Sequence, residues 1–528
     1  MILFSLIAFF VVLLVSFALN FIHYMHMFQL NSYSAEEHFH WIKKNMGNIV
    51  LRHVWAVTAM IYAIIIAMLC TPDGAVGASD ILICAGIICL GMVFCKRKPA
   101  KKKLVFTPRV IRMCVTSVIV YGMVCAVSMI FLYELGFFLP VLCLWQVFSV
   151  LMPMIANFIN KPVEKGVNNH YINDAKRIIN ELPNLTTIGI TGSYGKTSTK
   201  FYLQKLLSAK YNVLMTPESY NTTMGVVKTV RGSLNATYDI FICEMGAKGV
   251  GEIKEICDIV HPKHSMITSI GPQHLETFKS LDNIIKTKFE IADCISDGTV
   301  FLNMDNQYIR QHKIDKKVVG YGLTAGDGKN YYADNITVSV KGTSFTVHAP
   351  DGKTKDFSTK LIGEHNVQNI IGAIAVANTL GVSLDELVLP VRRLECVPHR
   401  MEIIDRGSTV IIDDAFNSNP SGAKAALDAL SLMDGLRVLV TPGMVELGEQ
   451  EYELNKQLGK QAAVCDFVVL VGQRQAVPLK EGLLEAGYPE EKIYVADSLK
   501  GGLAKVDTLQ TSGKKKIVLL ENDLPDNY

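Results

Sequence analysis

The chain has 528 residues, 49% hydrophobic and only 19% charged, with 52 lysines and arginines against 49 aspartates and glutamates. The length suits roughly three or four domains, and the composition excludes a disordered or collagen-like chain. The charge is unevenly placed: residues 1–158 hold 11 Lys/Arg and 5 Asp/Glu, the remainder 41 and 44. A +6 third is therefore joined to a −3 body, which argues against a simple soluble enzyme.

Residues 2–22 form an uncharged apolar run long enough to cross a bilayer. The run lacks the basic start and small-residue cleavage site of a signal peptide, so it reads as a retained anchor. Further apolar runs lie at about 54–70, 81–95, 113–133 and 136–158. The run 81–95 is short and reads as either spanning or re-entrant. Lys43, Lys44 and Arg52 follow the first run, and six Lys/Arg between 96 and 103 follow the third. The segments Thr71–Asp80 and around Glu134 carry none. Because positive loops stay cytoplasmic, five spans place the N-terminus outside and everything after Asn160 in the cytoplasm of a multi-pass cell-membrane protein. The basic cluster serves as a topology signal or as a contact for anionic membrane lipids. The 12 cysteines contain no CxxC pair, so neither a zinc ribbon nor a disulfide framework is expected. They read as small apolar residues in a chain facing a reducing compartment.

From about residue 185 the pattern alternates between β and α, as in an α/β fold. A β-branched strand, Thr186–Thr191, runs into Thr191-Gly192-Ser193-Tyr194-Gly195-Lys196-Thr197-Ser198, and a helical stretch Lys200–Ala209 follows. Glycines let backbone N–H groups approach phosphates, and the helix N-terminus favours the anion. Lys196 is placed to neutralise phosphate oxygens and Thr197 to hold Mg²⁺. The commoner phosphate loop, GxxxxGK[ST], has a glycine where Ile190 stands here, so the pattern is TGxxGKTS.

That variant resembles the ATP loop of the Mur ligase family, the ATP-dependent amide-forming enzymes of peptidoglycan synthesis. Further matches follow in the family's order over about residues 180–450. Thr216-Pro217 through Asn221-Thr222-Thr223-Met224-Gly225 resembles its substrate-side loop, and Phe241–Ala247 a strand ending in a metal-binding glutamate, Glu244. Thr268-Ser269-Ile270-Gly271 through His274-Leu275-Glu276 resembles its histidine loop. Lys286-Thr287-Lys288-Phe289-Glu290 resembles the segment whose lysine is carbamylated, and His365-Asn366-Val367-Gln368-Asn369 the adenine-side motif. His399-Arg400-Met401-Glu402 and Asp413-Asp414-Ala415-Phe416-Asn417-Ser418-Asn419-Pro420 resemble the opening of the C-terminal domain. The latter is closest to the branch that adds D-alanyl-D-alanine to a UDP-MurNAc-peptide, with Phe416 in place of tyrosine.

The resemblance implies ATP and Mg²⁺ as cofactors and a reaction through an acyl-phosphate. It implies Lys196, Glu244, His274 and Lys288 as catalytic, with Thr197, Glu244, His274 and carbamylated Lys288 around metal. Gly192, Ser193, Gly195, Lys196, Thr197, Ser198, Asn366, Asn369, Arg400 and Asp414 are implied for the nucleotide, and Asn221 and Thr222 for the substrate. Val367, Ile370, Ile371 and Ile374 follow the spacing of a buried helical stripe, and Asn366 is equally suited to cap that helix. A histidine that ligates metal must be neutral, so low pH is expected to inhibit.

Two departures bear on substrate choice. Membrane runs stand where the soluble relatives carry a UDP-sugar domain. At the other end, the family's basic KGSR-like segment is replaced by Glu521-Asn522-Asp523. Three functions stay open: a membrane-bound D-alanyl-D-alanine-adding ligase, a related ligase or amidating enzyme acting on a lipid-linked envelope precursor, and a nucleotide-binding scaffold without turnover. Cell-wall synthesis proteins are conceivable partners. Nucleic acid is not expected, since the −3 body has no basic stripe. The expected architecture is an α-helical transmembrane domain over 1–160, a central P-loop α/β domain over 161–398 and a Rossmann-like α/β domain over 399–528. Residues 316–350 are expected to form antiparallel strands attached to the central domain.

Overall fold

The computed structural model describes residues 1–69, 77–94, 103–132, 137–416, 418–511 and 513–523. The chain divides into two compact units, Met1–Asn169 and a second that begins at His170.

The first unit is helical. Among its described residues, three helices are long and apolar enough to cross a membrane: Ile2–Leu30, Met46–Met68 and Pro108–Leu132. Two of the five expected runs take other forms than a single long helix. The helix Ala78–Phe94 has only 17 residues, about 26 Å at 1.5 Å per residue. The last apolar run is broken into Phe138–Val150 and Met152–Asn180, bent by 72°. Pro153 stands in the first turn after the break, where a residue without an N–H is tolerated and where a straight helix through it is not. Most of the basic cluster (96–102), the loop 71–76 and the Glu134 turn lie outside the described residues. The bundle interior is knitted by aromatic and polar pairs: Phe17 lies 4.2 Å from Tyr121, and the Gln146 amide donates to the Tyr121 hydroxyl at 2.8 Å. Arg112 grips Glu164 with two nitrogens, at 2.7 and 2.8 Å.

The second unit holds two sheets. The nine strands of the first are β1 (Thr186–Thr191), β2 (Val213–Met215), β3 (Ile240–Glu244), β4 (His264–Ile267), β5 (Val300–Asn303), β6 (Val318–Gly322), β7 (Tyr331–Ser339), β8 (Gly342–His348) and β9 (Thr354–Thr359). Their order is β2-β3-β1-β4-β5-β6-β7-β8-β9. The pairings from β2 to β7 are parallel. The antiparallel strands expected over 316–350 are met by β7 and β8, joined by β9 beyond that stretch, whereas β6 within it continues the parallel sheet. β1, β3, β4 and β5 are buried almost throughout, as parallel strands covered on both faces must be. One face packs Ile188, Ile190, Met266 and Phe301 beneath Val367, Ile370, Ile371 and Ile374. All four of those helix residues are fully buried, as their spacing implies.

The second sheet comprises β10 (Glu402–Asp405), β11 (Thr409–Asp414), β12 (Leu436–Thr441), β13 (Phe467–Val471), β14 (Ile493–Ala496) and β15 (Lys516–Glu521). Its order is β10-β11-β15-β12-β13-β14, with only β10 antiparallel. The register sets Asp414 opposite Glu521. Both residues end their strands, at the carboxyl edge where open α/β sheets bind ligands.

Candidate functional site

β1 leads into the glycine loop, and the helix Lys196–Leu207 starts directly behind it. That start is four residues earlier than the pattern suggested, so the Lys196 and Thr197 backbone belongs to the first helical turn. The loop needs its glycines for two reasons. Gly195 has φ +78°, and a Cβ there would lie 2.6 Å from the Asn369 Oδ1. A Cβ on Gly192, at φ +154°, would meet the Thr268 hydroxyl at 2.1 Å. The loop is sewn to residues 268–272: the Ser269 hydroxyl accepts from the Tyr194 N–H at 2.9 Å. The Ser193 hydroxyl donates to the Gly271 carbonyl at 3.0 Å.

Lys196 turns back onto its own loop and donates to the Gly192 carbonyl at 2.6 Å and the Ser193 carbonyl at 3.2 Å. Burial lowers its ammonium to about 8, with Glu244 acting the other way. An anion entering the loop offers stronger, charge-assisted partners than these carbonyls.

Glu244 is the hub. Its Oε1 accepts from the Thr197 hydroxyl at 3.1 Å and the Asn221 amide at 3.0 Å. Its Oε2 lies 3.0 Å from the Lys200 ammonium, both side chains being fully buried. Lys200 also donates to the Glu218 carbonyl at 2.5 Å. Burial pushes the Glu244 carboxyl up, but Lys200 and Lys196 outweigh it and hold it below the usual carboxylate range. Lys200 was not among the sequence-derived candidates. Its signal was present: it lies one helical turn beyond Lys196, so the two lysines share a face.

Lys288 is buried while its neighbour Lys286 is exposed. Burial first, then the charge of Lys196, pushes its ammonium well below the ordinary lysine value. It sits 6.0 Å from the centre of the Phe278 ring. His274, at φ +52°, shares no hydrogen bond with the other site residues among the described residues; its Nδ1 lies 2.5 Å from the Glu446 Oε2.

Asn369 accepts from the Thr199 hydroxyl at 3.3 Å. Asn366 is buried, accepts from the Tyr202 hydroxyl at 2.8 Å and donates to the Ile362 carbonyl at 2.9 Å. Its capping role is corrected: the helix begins at Glu364 with Gly363 as N-cap and no side-chain cap. Asn366 is thus already inside the first turn. Thr222 caps the helix Thr223–Ser233 through the Gly225 N–H at 3.4 Å, so its hydroxyl has a structural task.

A cleft of about 640 Å³ is lined by Gly195, Ser198 and Asn369 from one side and by Arg400, Asp414 and Phe416 from the other. Arg400 lies 4.9 Å from the centre of the Phe416 ring. The Asp414 Oδ1 accepts from the Met401 N–H at 3.1 Å. Burial raises Asp414 to about 6, against the Met401 N–H and Arg400. Glu521, fully buried beside it, is raised further by burial and by Asp414; the Ser418 hydroxyl donates to its Oε1. Neither Ser418 nor Glu521 was singled out as a site residue from the sequence.

Three comparisons with known proteins converge. The model of the Mur ligase middle domain matches residues 190–377, and that of the Mur ligase glutamate ligase domain matches 399–520. The second match reaches further than the recognisable motifs. UDP-N-acetylmuramoyl-tripeptide–D-alanyl-D-alanine ligase of Escherichia coli is 32% identical over 306 residues, 56% of this chain and 67% of the relative. That of Buchnera aphidicola is 32% identical over 280 residues, 52% of this chain and 61% of the relative. The chain thus spans about three fifths to two thirds of these relatives' length. Among solved structures, MurF from Acinetobacter baumannii superposes with a TM-score of 0.62 at 27% identity, covering 68% of this chain and 78% of that one.

Proposed function

The chain belongs to the Mur ligase family, and from that membership we propose that it is an ATP-dependent ligase that joins D-alanyl-D-alanine to a UDP-MurNAc-peptide. Its domains are then a membrane domain over 1–160, a central ATP-binding domain over 161–398 and a C-terminal domain over 399–528. The observation that carries the reading is the meeting of Thr197, Asn221 and Lys200 on one buried carboxylate, Glu244, which also feels the charge of Lys196 in the glycine loop. The choice of amine rests on the relatives' names.

In the reaction, a carboxylate oxygen of the acid attacks the γ-phosphorus of ATP, giving an acyl-phosphate and ADP. The amine then adds to the acyl carbon, loses a proton, and expels inorganic phosphate. Both steps build negative charge on oxygen, so cations supply most of the stabilisation. Lys196 leaves its loop carbonyls for the phosphate oxygens. Arg400 reaches them from across the cleft, and Asn366 and Asn369 form the adenine side. Gly192, Ser193, Gly195 and Ser198 shape the loop around the phosphates, and Asp414 meets the nucleotide from the far wall. Asn221 and Thr222 carry the substrate-side loop. Closure over the cleft keeps water from the acyl-phosphate.

The donor set fits a divalent cation. Thr197 and Glu244 offer hard oxygens, and the Glu244 Oε2 has no hydrogen-bond partner among the described residues, only the lysine charge. Thr197, Glu244, His274 and a carbamylated Lys288 would hold Mg²⁺, which supplies charge neutralisation at the phosphoryl oxygens. Carbamylation adds the neutral Lys288 amine to CO₂ with loss of one proton. The burial that favours the neutral amine favours that addition.

A second reading is favoured by the three helices long and apolar enough to span a membrane: the acid is lipid-linked and is activated at the cytoplasmic surface. It keeps the multi-pass topology with the N-terminus outside, and brings membrane lipids and cell-wall synthesis proteins in as partners. The test uses the full-length protein in detergent and acid labelled with ¹⁸O in its carboxylate. Transfer of one label to the released phosphate is expected. Release of unlabelled phosphate only would contradict acyl-phosphate formation.

A further inference from the structure

His274 and Glu446 meet from opposite sheets of the second unit. His274 follows β4 in the loop that begins at Thr268, and Glu446 follows β12 in the loop that begins at Pro442. Both hold left-handed backbone, φ +52° and +63°. For residues with a Cβ and no glycine's freedom this costs energy, and it persists only where surroundings enforce it. Their side chains meet at 2.5 Å, Nδ1 to Oε2.

We propose that Glu446 is the positioning residue that turns closure of the C-terminal domain into a competent metal ligand. An imidazole that donates its Nδ1–H to a carboxylate is fixed as one tautomer, in one ring orientation, with its Nε2 lone pair free. Glu446 makes His274 that ligand. Because the carboxylate comes from the other domain, His274 is held in this way only when the two domains are together. The cation is then gripped fully only around a closed cleft, when the acyl-phosphate is shielded. The proposal rests on the metal-ligand reading of His274 and goes beyond it in assigning the residue that sets its tautomer and the motion that engages it.

The experiment is a Mn²⁺ titration of the full-length detergent-solubilised protein, followed by electron paramagnetic resonance in the presence of a non-hydrolysable ATP analogue. Five proteins are compared: the parent, Glu446→Ala, Glu446→Gln, His274→Ala and the double variant Glu446→Ala/His274→Ala. Loss of an outer partner of a metal ligand weakens metal binding by about 10–100-fold, and that loss is expected for Glu446→Ala. Glu446→Gln keeps a carbonyl acceptor for the Nδ1–H and should recover part of the affinity. Adding Glu446→Ala to His274→Ala should cause no further loss, because the two residues act as one. Glu446→Ala within twofold of the parent while His274→Ala is weakened would overturn the positioning role. An unchanged His274→Ala would instead remove the metal-ligand reading, and the proposal with it. Additive losses would show that Glu446 acts elsewhere and would also overturn it.

Discussion

The second unit sets two carboxyl edges of the same parallel construction against each other in charge. At the edge of the first sheet, three lysines, Lys196, Lys200 and Lys288, surround one carboxylate, Glu244. At the edge of the second, Asp414 and Glu521 are packed together with one arginine, Arg400, nearby. Under the proposed function the first edge is a cationic seat for a polyphosphate. The second is a carboxyl pair whose hold on a proton burial strengthens. Fold alone therefore does not set the chemistry of an α/β carboxyl edge; the last residues of each strand do.

Removing a cation from the first edge should do most damage. Lys196→Met takes away the charge aimed at the phosphates and is expected to lower kcat/KM by about 10²–10³-fold or more, read by phosphate release. Lys288→Ala should abolish turnover and recover part of it with a short-chain carboxylic acid, which replaces the missing anionic oxygens. Full activity in that variant would end the carbamate assignment.

Lys200→Met tests stability and function together. It leaves Glu244 buried without its closest cation, and breaking a buried pair costs about 3–5 kcal/mol. A lowered thermal midpoint and a weaker Mg²⁺ response are expected. The double variant Lys200→Met/Glu244→Gln should regain stability without regaining activity.

The two edges should also answer pH in opposite senses. Glu244 is depressed in the folded state, so its contribution is present above its unfolded value near 4.5 and is lost as pH falls through its lower folded value. Asp414 is raised from 3.8 to about 6, so its contribution is present below 3.8 and is lost as pH rises through about 6. Glu521→Gln removes the charge conflict and keeps an acceptor for Ser418. Its thermal midpoint should rise by about 2–4 °C above pH 7 and change little near pH 5. Equal shifts at both pH values would mean that packing, not charge, sets the second edge.

What could be read from the sequence follows the distance between partners. The glycine loop, Lys196 and Thr197 are contiguous, and the stripe from Val367 to Ile374 lies on one helix, so local patterns were enough. The His274–Glu446 contact joins residues 172 apart and Ser418–Glu521 residues 103 apart, and no local period encodes either. Lys200 looked like an ordinary helical lysine until β3 brought Glu244 against it. Asn366 misled because its type suits a cap, while Gly363 one turn earlier starts the helix. In the first unit hydropathy located the apolar helices among the described residues and the shortness of the run at 81–95, yet it could not show that the chain bends at Leu151.

Under the proposed function the cationic edge drives amide formation and not ATP binding alone. The most direct test of that claim gives the solubilised full-length protein Mg-ATP, D-alanyl-D-alanine and either UDP-MurNAc-tripeptide or its lipid-linked counterpart, with products weighed by mass spectrometry. One conjugate is expected for each ADP and phosphate formed, from one of the two acids. ATP binding without a conjugate from either acid would contradict it.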